Sequence, residues 1–222
     1  MRMEYTAQLE QMHEDLVHMG GLCEQAITLA ARCLKHCDPD LQQDVGRADE
    51  KIDRAERDIE NQCLRLLLRQ QPVAGDLRKV SAAIKMISDM ERIGDQASDI
   101  AELAPYVAGK APAGSLRLDD MARAVVRMVT DSVDAFVRDD LTLARAVMDA
   151  DDEVDTLFEQ VKEELMQLIR DGGIDAQASL DLLMAAKYFE RIGDHAVNIA
   201  EWVEYSITGE HNSSEHHMQV EE

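Results

Sequence analysis

Asp89-Met90-Glu91-Arg92-Ile93-Gly94-Asp95-Gln96-Ala97-Ser98-Asp99-Ile100-Ala101-Glu102 returns as Tyr188-Phe189-Glu190-Arg191-Ile192-Gly193-Asp194-His195-Ala196-Val197-Asn198-Ile199-Ala200-Glu201, a constant 99 residues further on. Nine of the twelve positions from Glu91 to Glu102 are identical in the second copy, so a chain of 222 residues uses one unit twice. At about 100° per residue, Glu91, Asp95, Asp99 and Glu102 fall on one side of a helix. Met86, Met90, Ile93, Ala97 and Ile100 gather on the opposite side, which predicts an apolar face that packs and an acidic face that looks outward. Glycine inside a helix costs roughly 1 kcal/mol relative to alanine. Gly94 and Gly193 nevertheless hold the same place in both copies, which predicts close approach there by a neighbouring helix or a ligand.

Working outward from the motif, the spacing of apolar residues predicts helices on either side. A first helix from about Glu4 to Leu34 carries Leu9, Met12, Leu16, Met19, Cys23, Ile27 and Ala30 inward, with Gly20-Gly21 as a candidate bend. Asp38-Pro39-Asp40 reads as a turn and restart, with an acid at the cap and proline at the first helical position. The second helix runs to about Gln70. Gln71-Pro72-Val73-Ala74-Gly75-Asp76 breaks it, and the first motif helix follows to about Pro105. Gly109 to Ser115 is the linker. The second half repeats the plan: a helix from about Leu116 to Arg138, the turn Asp139-Asp140, a long helix to about Arg170, the stop Asp171-Gly172-Gly173, and the second motif helix to about Ile207. The expected fold is all-α, two tandem, pseudo-symmetric three-helix bundles over residues 1–108 and 116–209, joined by 109–115. Residues 210–222 lack periodicity and read as a disordered tail, whose His211, His216 and His217 suit a solvated end better than a metal site.

Formal net charge is −22, from 45 acids against 23 bases. Such a balance repels nucleic acid and anionic lipid, and attracts cations or a basic partner. Cys23, Cys33, Cys37 and Cys63 all lie in the first half without a Cys-x-x-Cys pair and read as core or boundary thiols in a reducing setting. With no apolar signal core and no apolar run of membrane-spanning length, the expectation is a cytoplasmic protein without direct membrane insertion.

The second helix of each half has spaced acids of its own: Asp49-Glu50-Lys51-Ile52-Asp53 corresponds to Asp151-Asp152-Glu153-Val154-Asp155. Asp49/Asp53 with Glu91/Asp95, and Asp151/Asp155 with Glu190/Asp194, therefore make two sets that antiparallel packing would bring to a seam. Carboxylates this close repel unless protonated, paired with Arg or Lys, or bridged by cations. Oxygen-rich clusters suit Mg²⁺, Mn²⁺ or Fe, while Arg92 and Arg191 favour the competing reading of a salt-bridged surface. An enzyme of the di-iron carboxylate type needs Glu-x-x-His on two helices. The chain has one instance, Glu10-Gln11-Met12-His13, far from the motif. His195, in place of Gln96, is either a fifth ligand or a surface histidine beside Asp194. With no phosphate-binding glycine loop and no nucleophile beside a spaced base, a metal-dependent oxidase or hydrolase is the weaker alternative, and a plain acidic helical scaffold is another.

The duplicated Glu-Arg-Ile-Gly-Asp helices, the connection Gln71-Pro72-Val73-Ala74-Gly75-Asp76-Leu77-Arg78 and the closing stretch Arg191 to Glu201 resemble the PhoU family of phosphate-transport regulators, over about Glu4 to Gly209. The resemblance implies two three-helix bundles, often dimeric, in a cytoplasmic accessory protein of the phosphate ABC transporter. It implies restraint of the phosphate-starvation response, exerted between the transporter's ATPase subunit and a phosphate-sensing histidine kinase. It also implies surface metal ions (Fe, Mn, Mg or Zn) on the paired acids, here Asp49, Asp53, Glu91, Asp95 and Asp99 in one half and Asp151, Asp155, Glu190, Asp194 and Asn198 in the other. Asn198 stands where the first half has Asp99, leaving the second set one charge weaker.

Overall fold

The computed structural model describes residues 2–70, 75–112, 114 and 116–210. The Gln71 to Ala74 part of the first connection, Ala113 and Ser115 of the linker, and the tail with His211, His216 and His217 lie outside the described residues.

Every regular element among the described residues is helical: α1 (Arg2–His36), α2 (Pro39–Gln70), α3 (Gly75–Val107), α4 (Leu118–Arg138), α5 (Leu141–Asp149), α6 (Asp151–Arg170) and α7 (Ala176–Thr208). α1, α2 and α3 pack on one another as one bundle, and α4, the α5–α6 pair and α7 as the other. At 35 residues α1 is about 50 Å long.

Both bundles begin alike. α1 ends on Cys37 and α4 on Asp139, each with positive φ, and each is followed by an aspartate. Asp38 Oδ1 accepts from Asp40 N–H at 3.0 Å, and Asp140 Oδ1 from Leu143 N–H at 3.0 Å. These bonds satisfy first-turn donors that the helix itself leaves unpaired.

Three local details differ from the sequence expectation. The long helix expected between Asp140 and Arg170 is broken at Ala150, whose N–H is shared between Ala146 O and Val147 O, while Glu153 N–H closes a tighter three-residue bond to Ala150 O. α1 runs unbroken through Gly20-Gly21, and Gly20 serves close packing instead: a methyl group there would sit 3.2 Å from Val133 Cγ2 of α4. α3 continues past Pro105 to Val107. Proline supplies no N–H to Ala101 O, and Gln42 Nε2 of α2 donates to that carbonyl at 2.7 Å instead.

The bundles join through two antiparallel helix pairs. α3 lies on α7: Arg78 Nε approaches Ser206 O, Lys85 sits over the Trp202 ring, and Asp89 meets His195 and Asn198. α1 lies on α4, with His13 edge-on to Phe136 near one end and Lys35 paired with Asp119 near the other. The buried apolar residues, Met12, Leu16, Ile52, Met86, Ile93, Phe136, Phe189 and Ile192 among them, form one continuous core through both bundles rather than two separate ones. No described helix is long and apolar enough to cross a membrane.

Candidate functional site

Gly94 explains how the first acid set is built. Its bare backbone admits the Asp49 side chain of α2: a Cβ there would lie 2.7 Å from Asp49 Oδ1 and 3.1 Å from Ile52 Cδ1. Asp49 Oδ2 accepts from Ser98 Oγ at 3.0 Å, while Oδ1 is buried without a hydrogen-bond partner. Burial raises the Asp49 carboxyl above the usual range, the Ser98 hydroxyl opposes that rise, and Asp53, Asp95 and Asp99 add to it. Glu91 is raised by burial and by Asp95, against the pull of Arg92. Asp99 is raised by burial, Glu102 and Asp95. The structure thus brings Asp49, Asp53, Glu91, Asp95 and Asp99 into one mutually repelling group at the α2–α3 seam.

The second set forms the same way at the α6–α7 seam. A Cβ on Gly193 would lie 3.4 Å from Asp151 Oδ1, which is again buried and unpartnered. Asp151 is pushed up to about 7 by burial and by Asp155, Asp194 and Glu190. The contrast with Asp49 has a residue-level cause. The position matching Ser98 is Val197, which offers no hydroxyl, so burial and repulsion act on Asp151 unopposed.

Some of this charge is already balanced. Arg92 reaches Glu91 at 3.5 Å and Asp95 at 3.4 Å, and Lys187 pairs with Glu190. No group of three or more His, Cys, Asp or Glu side chains among the described residues is gathered tightly enough to hold a metal ion as it stands. The donor chemistry fits a hard cation all the same. Each set has a buried aspartate oxygen with no donor, and carboxyls that destabilise one another's charged forms.

Two residues named from the sequence belong elsewhere. Asn198 does not join the second acid set: its Nδ2 donates to Asp89 Oδ1 at 3.1 Å across the α3–α7 seam. His195 is half-buried at that same seam, Nδ1 2.9 Å from Asp89 Oδ1, and is not a surface histidine beside Asp194. His13 of the Glu-x-x-His sequence is half-buried against Phe136, its Nε2 without a partner, and burial with Lys79 nearby lowers its pKa. Cys23, Cys33 and Cys63 are core thiols, Cys23 donating to Met90 O at 3.4 Å and pushed up to about 12 by burial.

Sequence reasoning missed Glu56 and Ser98. Glu56, one turn beyond Asp53 on α2, is raised by burial and by Glu60 and Asp53, with a hydrogen bond from Ser88 opposing. Its spacing of three from Asp53 was the available signal. Ser98 sits inside the quoted motif, and its replacement by Val197 in the second copy marked it as a point of difference.

The PhoU domain model matches residues 16–104 and 118–203. The phosphate-specific transport system accessory protein PhoU homolog of Pseudomonas aeruginosa is 36% identical over 208 residues, covering 93% of this chain and 86% of its own length. The homolog of Clostridium acetobutylicum is 33% identical over 207 residues, covering 92% and 94%. The crystal structure of PhoU from Pseudomonas aeruginosa superposes with a TM-score of 0.84 at 37% identity, over 93% of this chain and 100% of that one. For the fold alone, the regulatory protein PhoU from Streptococcus pneumoniae superposes at 0.85 with 24% identity, over 94% and 99%. With both halves matched by the domain model and relatives of this identity spanning nearly the whole molecule, the chain belongs to the PhoU family.

Proposed function

We propose that this protein is a non-enzymatic, cytoplasmic regulator that restrains phosphate uptake and the phosphate-starvation response. It acts, as a homodimer, between the ATPase subunit of the phosphate ABC transporter and a phosphate-sensing histidine kinase. Support comes from the relatives, whose names describe accessory proteins of a phosphate-specific transport system. The observation that carries the reading is the symmetric pair of acid sets, each with an aspartate oxygen buried against a motif glycine and left without a donor. Asp49, Asp53, Glu91 and Asp95 in one half, and Asp151, Asp155, Glu190 and Asp194 in the other, would hold cations of the Fe, Mn, Mg or Zn class. A bound cation supplies neutralising charge there. The chain's own part is to let each pair of helices approach at the motif glycine, so that the acids gather in a charged, outward-facing seam presented to basic surfaces of the partners.

Deletion of the gene should leave a phosphate-repressible phosphatase switched on in rich phosphate. Normal repression in the deletion strain would remove the regulatory role. Asp49→Asn with Asp151→Asn should lower the metal content of protein purified without chelator, measured by elemental analysis. Unchanged content would remove these sets as metal sites while leaving the regulatory role to the deletion experiment.

A further inference from the structure

The groove between α1 and α4 is bordered by four basic side chains and by Asp119. It is a cavity of about 450 Å³ floored by Ala31, Ala122 and Val126 and rimmed by Arg32, Lys35, Arg123 and Arg127. It shares Ala31, Lys35 and Asp119 with a wider trough of about 710 Å³, whose apolar lining includes Leu34, Val107, Leu116, Leu118 and Leu182. Four basic side chains thus border one apolar groove on a chain of net charge −22.

Three of the four are held only by exposed pairs. Lys35 meets Asp119 at 2.5 Å, Arg127 meets Glu153 at 3.1 Å, and Arg123 meets Asp120. Surface pairs of this kind contribute about 0–1 kcal/mol, so a partner's carboxylates exchange into them at little cost. Arg32 is exposed on the rim and makes no ion pair among the described residues.

We propose that this trough docks an acidic, amphipathic helical segment of a partner protein, its apolar side chains on the Ala31–Ala122–Val126 floor and its carboxylates on the basic rim. Complementarity selects this occupant in two ways. The apolar floor between cationic edges suits an amphipathic helix laid in a groove. The net charge of −22 disfavours an acidic segment over the surface at large, whereas the four basic side chains at this rim favour it. The floor residues Ala31, Ala122 and Val126 and the basic rim lie on α1 and α4, which carry none of the paired acids, so variants there test the docking separately from the metal and regulatory reading.

The test is fluorescence anisotropy with the full chain and a labelled synthetic helix bearing leucines on one face and glutamates on the other. Saturable binding that weakens as salt rises is expected, with affinity falling about tenfold or more in Arg32→Glu with Arg123→Glu. A glutamate–serine peptide lacking the leucines should bind more weakly. Arg32→Gln with Arg123→Gln gives the same reading where the charge reversal lowers helicity by circular dichroism. No binding by the wild-type chain, or binding by both double variants as tight as that of the wild type, overturns the proposal. So does a dimer that Ala122→Trp converts to monomer in light scattering, because the groove would then be occupied by a second copy of the chain.

Discussion

A methyl group added at Gly94 and the same methyl group added at Gly193 meet different surroundings, although the two residues occupy matching places in the repeat. At Gly94 it falls 2.7 Å from Asp49 Oδ1 and 3.1 Å from Ile52 Cδ1, so Asp49 must turn away and give up its bond to Ser98. At Gly193 the nearest atoms are at 3.4 and 3.5 Å, ordinary contact distances. Alanine gains about 1 kcal/mol of helix propensity at either site, while overpacking costs about 1–3 kcal/mol. Gly193→Ala should therefore leave stability equal or higher and Gly94→Ala should lower it by about 1 kcal/mol, a difference that urea titration resolves. The same asymmetry gives Asp151 a pH signature. Burial and the neighbouring acids push its carboxyl up to about 7 from an ordinary value of 3.8, so the folded state holds the extra proton more tightly. The contribution of Asp151 to stability thus rises as pH falls through 7 and is complete below about 4. His13 works in the opposite sense, since a lowered pKa costs stability as pH falls through 6.5. Comparing wild type with Asp151→Asn in chelator-treated protein cancels the histidine. The variant should melt higher at pH 8, the gap narrowing as pH falls and closing only below about pH 4; parallel curves at all pH values would show that the Asp151 carboxyl is not raised by the fold.

Among the elements, α3 shows how a helix absorbs a proline. Pro105 deprives Ala101 O of its donor, and Gln42 of α2 supplies one from outside. Ala101 is buried, so Gln42→Ala should cost about 1–3 kcal/mol by leaving that carbonyl unpaired. Pro105→Ala restores an N–H in line with Ala101 O, and in that background Gln42→Ala should cost much less. A double-mutant cycle by chemical denaturation reads the coupling, and equal costs in both backgrounds would mean that the Gln42 bond does not compensate for the proline. The helices themselves were legible from apolar spacing because the 3.6-residue period of α1, α2, α3 and α7 persists for eight turns or more. The break at Ala150 was not, since the residue there is a good helix former and no Gly or Pro marks it. The acid sets were legible because each acid recurs in both copies. The places of Asn198 and His195 were not: periodicity assigns a residue to a side of its own helix, and only the packing of α7 on α3 decides that this side faces Asp89.

For the whole molecule, the question is whether two tandem bundles unfold as one body or two. The linker suggests two, yet the contacts that join α3 to α7 and α1 to α4 are continuous with the interiors of both bundles, and one apolar core runs through them. Separating the bundles would expose that shared surface to water at about 25 cal/mol per Å² of apolar area, a penalty that couples their stabilities. The chain carries its own probes for this. All four cysteines lie in the first half, with Cys23, Cys33 and Cys63 buried, and the only tryptophan, Trp202, lies in the second beside Lys85 of the first. In urea, Trp202 fluorescence should report loss of the second bundle and reactivity of the buried thiols loss of the first. One cooperative unit requires the two transitions to share a midpoint. A thiol transition well below the tryptophan transition would mean instead that the first bundle opens while the second stays folded, and that the α3–α7 and α1–α4 seams are weaker than the bundles they join.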